Sequence, residues 1–138
     1  MLSPPLDILR RSLKLSGDNN LAGAVALLNE GVAMCESDPE YLPTLPRLVS
    51  NLGLFYRRMG RPDEAIKAVR RALLLIPDDR SLLHFLADLL IEMRDPGAAA
   101  LVAMDLRAAC ERHPETFTPD WAEALSLLDT RIVNATPD

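Results

Sequence analysis

The chain is poor in aromatic residues: one Trp, two Tyr and three Phe make up 4% of its 138 residues. A β-sandwich core draws on aromatic and β-branched side chains, whereas Ala and Leu, strong helix formers, dominate here. An all-helical chain is the expectation. Cysteine is scarce too. Cys35 and Cys110 stand alone and neither lies in a CxxC pair, which excludes a disulfide framework and a zinc site. Both read as small buried hydrophobes near helix ends. No apolar run reaches the roughly 18 residues of a membrane span. The N-terminus MLSPPLDILRRS carries an acid and lacks a positive lead into an apolar stretch, so it does not read as a secretory signal. Positive charge is in deficit, 15 Lys and Arg against 20 Asp and Glu for a net −5, which argues against generic nucleic-acid binding. A soluble, cytoplasmic protein with no membrane association is expected.

The groups that carry catalysis are sparse as well. The two histidines, His84 and His113, lie far apart in sequence. His84 and Asp88 stand at i, i+4, a spacing that can orient an imidazole, but no activated nucleophile or metal-ligand cluster accompanies them. Neither GxGxxG nor GxxxxGK[ST] occurs, so nucleotide binding has no support. The chain is expected to be no enzyme and to need no metal and no cofactor.

What the chain has is a period. In the stretch VSNLGLFYRRMGRPDEAIKAVRRALLLIP, residues Val49, Leu52, Gly53, Tyr56, Pro62 and Ala65 are followed by Leu83, Leu86, Ala87, Leu90, Pro96 and Ala99, each pair 34 residues apart. A fixed period of that size marks an α-solenoid. The run Leu-Gly-x-x-Tyr, a turn and then Ala resembles the tetratricopeptide repeat, a helix-turn-helix unit. Aligning Gly60 with Gly17 gives a more worn first copy, with Leu6, Leu9 and Leu13 ahead of the turn and Ala22 after it, at an offset of 43. In this alignment Arg10 takes the place of Gly53 and Ala87.

Helices are expected at about 5–16, 19–36, 44–59, 63–75, 80–93 and 97–112. The segment SDPEYLPTLP, punctuated by three prolines, absorbs the extra length of the first unit. Thr118 and Pro119 then open an amphipathic helix at about 119–134, whose Trp121, Ala124, Leu125, Leu128 and Ile132 cover the last repeat, because a solenoid end is apolar unless capped. The terminal NATPD is expected to fray. The reading is one domain, 1–138, with repeat units at about 5–36, 44–77 and 80–113 and a capping helix. Leu52, Gly53, Tyr56, Ala65 and Leu86 are its expected core.

The resemblance implies a right-handed superhelix of antiparallel helix pairs whose first helices line a concave groove for a peptide or helix of a partner. By position, that groove presents Asp7, Arg11 and Lys14; then Arg47, Ser50, Asn51, Leu54, Arg57 and Arg58; then Ser81, His84, Phe85, Asp88 and Ile91. A subfamily that clamps C-terminal carboxylates uses two lysines, two asparagines and an arginine. Here only Asn51 matches, and the other four slots hold Asp7, Arg11, Ser81 and Phe85. The leading expectation is a non-enzymatic protein-interaction module for an acidic, amphipathic segment, with Leu54, Phe85 and Ile91 as apolar contacts and the arginines setting register. The alternatives are a small acidic chaperone of the type III secretion class and a scaffold that self-associates into homo-oligomers by stacking.

Overall fold

The computed structural model describes residues 2–137. Among them are seven α-helices and no strand: α1 Pro4–Gly17, α2 Leu21–Ser37, α3 Leu45–Arg58, α4 Pro62–Leu73, α5 Arg80–Glu92, α6 Pro96–Arg112 and α7 Pro119–Ala135. Every bound lies within two residues of the predicted one. The fold is an all-α helical-repeat fold. It divides into two compact units, Met1–Ile76 and Pro77–Asp138, in which α1 pairs with α2, α3 with α4 and α5 with α6.

Proline and short polar residues set the helix starts. Pro4, Pro62, Pro96 and Pro119 sit in the first turn, where a missing N–H costs nothing. Asn20, Asp79, Asp95 and Thr118 cap their helices by accepting from the N–H three residues on. The proline-rich segment forms a 3-10 helix, Pro39–Thr44, capped by Asp38. At the other end α7 runs on through Ala135, and Thr136 donates through Oγ1 to the Ile132 carbonyl at 2.7 Å. The helix thus extends into NATPD, of which Asp138 lies outside the described residues.

The turns inside the three hairpins correct the alignment of the first repeat. Asn19, Gly60 and Arg94 adopt the left-handed conformation, with φ of 60°, 74° and 59°. In each turn the next N–H reaches back five residues, from Asn20 to Leu15, from Arg61 to Tyr56 and from Asp95 to Leu90, at 2.8–2.9 Å. Asn19 is therefore the counterpart of Gly60. The offset is 41, not 43, because Asn tolerates a positive φ and Gly17 is simply the last residue of α1. The physical consequences are large, since two residues rotate a helix by about 200°. Ser12, fully buried with its hydroxyl donating to the Leu9 carbonyl at 2.7 Å, occupies the small-residue position of Gly53 and Ala87. Arg10 is exposed and paired with Asp7 at 2.8 Å. The buried alanines of the second helices are Ala24, Ala65 and Ala99, and Ala22 is exposed.

These turns make a clean test of backbone strain. A Cβ at Gly60 meets nothing within 4 Å, so Gly60→Ala bears only the left-handed backbone cost and should lose about 1 kcal/mol. Arg94→Gly should show the opposite sign, a gain of a few tenths to about 1 kcal/mol after the extra chain entropy of glycine. Urea melts of both variants check this. Equal stabilities for Gly60→Ala and wild type would contradict the assignment of these turns.

In the first unit, Leu45, Leu48, Val49, Leu52 and Gly53 of α3 are buried, as are Ala65, Val69 and Ala72 of α4. Tyr56, expected in the core, is only half-buried, and its hydroxyl accepts from Asn29 Nδ2 at 3.3 Å. The ring inside is Phe55, 3% exposed. In the second unit, α7 packs on α6 and α5 with Leu125, Leu128 and Ile132 buried, and Trp121 half-buried at its start.

Candidate functional site

On α3, Arg47, Asn51, Leu54 and Arg58 fall at i, i+4, i+7 and i+11 and so form one stripe. Leu54 is 41% exposed at its middle. Arg47 and Arg58 are exposed, and among the described residues neither has an ion-pair partner. The Arg58 guanidinium lies over the Phe55 ring at 5.8 Å. Arg57 is exposed in the last turn of α3, where a cation suits the helix dipole. Asn51 Nδ2 donates to the Arg47 carbonyl at 2.8 Å, so its amide is engaged within the helix. Ser50 is half-buried beside it.

On α1 the corrected offset places Arg10 and Leu13 at the positions of Asn51 and Leu54. Leu13 is 46% exposed. Two neighbouring first helices thus present a leucine to solvent at the same place, with arginines around them. Asp7, Arg11 and Lys14 belong to a different stripe, equivalent to Leu48, Leu52 and Phe55. On α3 that stripe is buried; on α1 it is charged. Arg11 and Lys14 line a depression of about 320 Å³ with Leu15, Asp18 and Leu27. A charged stripe there opposes apolar stacking through this side of α1.

In the second unit the predicted groove residues meet α7. Asp88 forms an ion pair with Arg131, and its other oxygen lies 3.5 Å from His84 Nδ1. Trp121 stands edge-on to His84, centroids 6.3 Å apart, and carries the Arg80 guanidinium on its face at 5.2 Å. Ser81, His84, Thr118, Asp120, Trp121 and Ala124 line an open depression of about 410 Å³. Phe85 and Ile91 are partly exposed on α5. Beside this depression Arg112 grips Asp78 through two bonds of 2.9 and 2.6 Å, and His113 Nε2 lies 3.2 Å from the same carboxylate. The Arg112 hydrogen bonds, and then His113, hold the Asp78 carboxyl below its usual range. Trp121 was legible from sequence as an apolar position of the cap. Its engagement with His84 and Arg80 was not, because those contacts join helices about 40 residues apart.

Helical hairpins, small residues at their crossings and a closing helix define a repeat protein of the helix-turn-helix kind. The tetratricopeptide-repeat family's model matches residues 46–89, which supports a repeat of that kind. Repeats of this family typically bind other proteins and are generally not catalytic. No curated protein matches the chain. No helix among the described residues is long and apolar enough to cross a membrane.

Proposed function

We propose that the chain is a non-enzymatic protein-binding module whose first unit receives an acidic, amphipathic helical segment of a partner on the α1 and α3 stripes. The observation that carries this reading is the pair of exposed leucines, Leu13 and Leu54, at equivalent positions, flanked by Arg47 and Arg58, which among the described residues have no ion-pair partner. Leucines out of water on contact supply affinity at about 25 cal/mol per Å² of apolar area buried. The arginines exclude basic segments and speed encounter with acidic ones. The second unit's share is narrower than the family geometry implies, since α7 engages His84 and Asp88 there.

The test is a displayed library of amphipathic helical peptides, spanning net positive to net negative charge, selected on the immobilised full chain. Acidic peptides with leucine or phenylalanine anchors are the expected winners. Their affinity should fall at least about tenfold on Arg47→Glu with Arg58→Glu, and fall again as salt shortens the screening length from about 10 Å at 0.1 M to about 3 Å at 1 M. Selection of basic peptides, or equal binding by the double variant, removes this surface from the account.

A further inference from the structure

Charge is divided unevenly between the two units. Residues 1–76 hold ten basic and eight acidic side chains, and residues 77–138 hold five and twelve. Such segregation makes the two halves of different copies complementary. The acidic half also displays an amphipathic helix. The inner side of α7 is anchored by Leu125, Leu128 and Ile132, which leaves Glu123 and Leu127 on one outer stripe at i and i+4. Leu127 is 57% exposed, and among the described residues Glu123 forms no ion pair.

We propose that the outer stripe of α7 from a second copy of this chain docks on the α3 stripe of the first unit. The inference rests on the reading of that stripe given above and names one occupant for it. The spacing of the two stripes supports antiparallel apposition. Arg58 stands four residues after Leu54, and Glu123 stands four before Leu127. Laying Leu127 against Leu54 with the helices antiparallel therefore brings Glu123 to Arg58, about one helical turn from the leucine pair on each side. Because α7 is already folded and anchored, docking it orders no new backbone, and this lowers the entropic cost of association.

Sedimentation of the full-length chain at low and high salt, over the micromolar range, tests the contact. Wild type should self-associate, less so at high salt. Arg58→Glu and Glu123→Arg should each weaken association at least about tenfold, and the chain carrying both changes should recover most of it, because every copy then presents the swapped pair. Leu127→Ser should weaken it without recovery. All three positions are exposed, so circular dichroism is expected to be unchanged and a loss of association then reports the contact. A wild type that stays monomeric, or a double variant no better than the singles, overturns the inference. If the peptides selected in the library experiment still bind at Arg47 and Arg58 in such a result, only the choice of a second copy falls. If they do not bind either, the reading of the stripe falls with it.

Discussion

Gly31→Leu is expected to destabilise the first unit by about 1–3 kcal/mol through overpacking, equivalent to roughly 4–8 °C of melting temperature per kcal/mol for a unit of this size. Gly31 lies in α2 where α1 and α3 close in on it. A Cβ there meets Ile8 Cγ2 at 3.1 Å and the two δ-carbons of Leu48 at 3.2 and 3.3 Å. Ile8 and Leu48 are themselves 3% and 0% exposed, so neither can swing into solvent to make room. Gly31→Ala is the informative companion. Its methyl needs a few tenths of an ångström from both neighbours, while alanine gains about 1 kcal/mol of helix propensity over glycine. The two terms nearly cancel, and a change within about 1 kcal/mol of wild type is expected. Gly17→Ala is the control, because nothing lies within 4 Å of a Cβ there, and alanine in a helical backbone should be neutral or slightly stabilising. Thermal melts of the three variants check the order Leu far below Ala, with Gly17→Ala at or above wild type. A Gly31→Leu protein that melts with wild type would mean that α1 and α3 do not converge on α2.

Helix positions were legible because proline, caps and the 34-residue period all act within a turn or two of where they stand in sequence. Ala65, an expected core residue, is buried, and Val69 and Ala72 lie with it on the buried stripe of α4. What sequence reading missed was a conformation disguised by residue type. A left-handed turn residue is most easily recognised when it is glycine, and Gly17 offered itself two residues before the true position at Asn19. That error rotated the first helix, so Arg10 was expected at the crossing that Ser12 fills, and Arg11 and Lys14 were expected beside Leu54 in place of Leu13. The signal was nonetheless present: Asn20 caps α2 as Asp95 caps α6, and that alignment alone yields the offset of 41. Tyr56 against Phe55 was a subtler miss, since adjacent positions differ by about 100° around the helix and both are aromatic. The contacts of His84, Asp88 and Arg80 with α7 carry no periodic mark. They depend on where one helix lands on another, which local pattern does not encode.

Deletion of α7, from Thr118 onward, should have the largest effect of all. Leu125, Leu128 and Ile132 are 6%, 1% and 9% exposed, and burying each is worth about 1.5–3 kcal/mol. Their sum approaches the 5–15 kcal/mol by which whole domains are stable. The deletion also removes two links from α7 to the hairpin, Arg107 with Asp129 and Arg131 with Asp88. These exposed pairs add little beside the apolar term. What is left behind matters as much as what is lost. Cys110 and Leu125 share a cavity wall with Pro114 and Phe117, so without α7 this side of α6 becomes a contiguous apolar surface, the kind that drives association. The truncated chain is therefore expected to melt at lower temperature and to aggregate at concentrations where the full chain does not, as read by circular dichroism and light scattering. The outcome separates two roles for the helix. Glu123→Arg, which alters only its outer stripe, should leave the melting temperature unchanged while weakening self-association, whereas truncation should lower the melting temperature and replace the salt-sensitive association with aggregation. A truncated protein that stays dispersed and equally stable would show that α7 closes no end of the repeat.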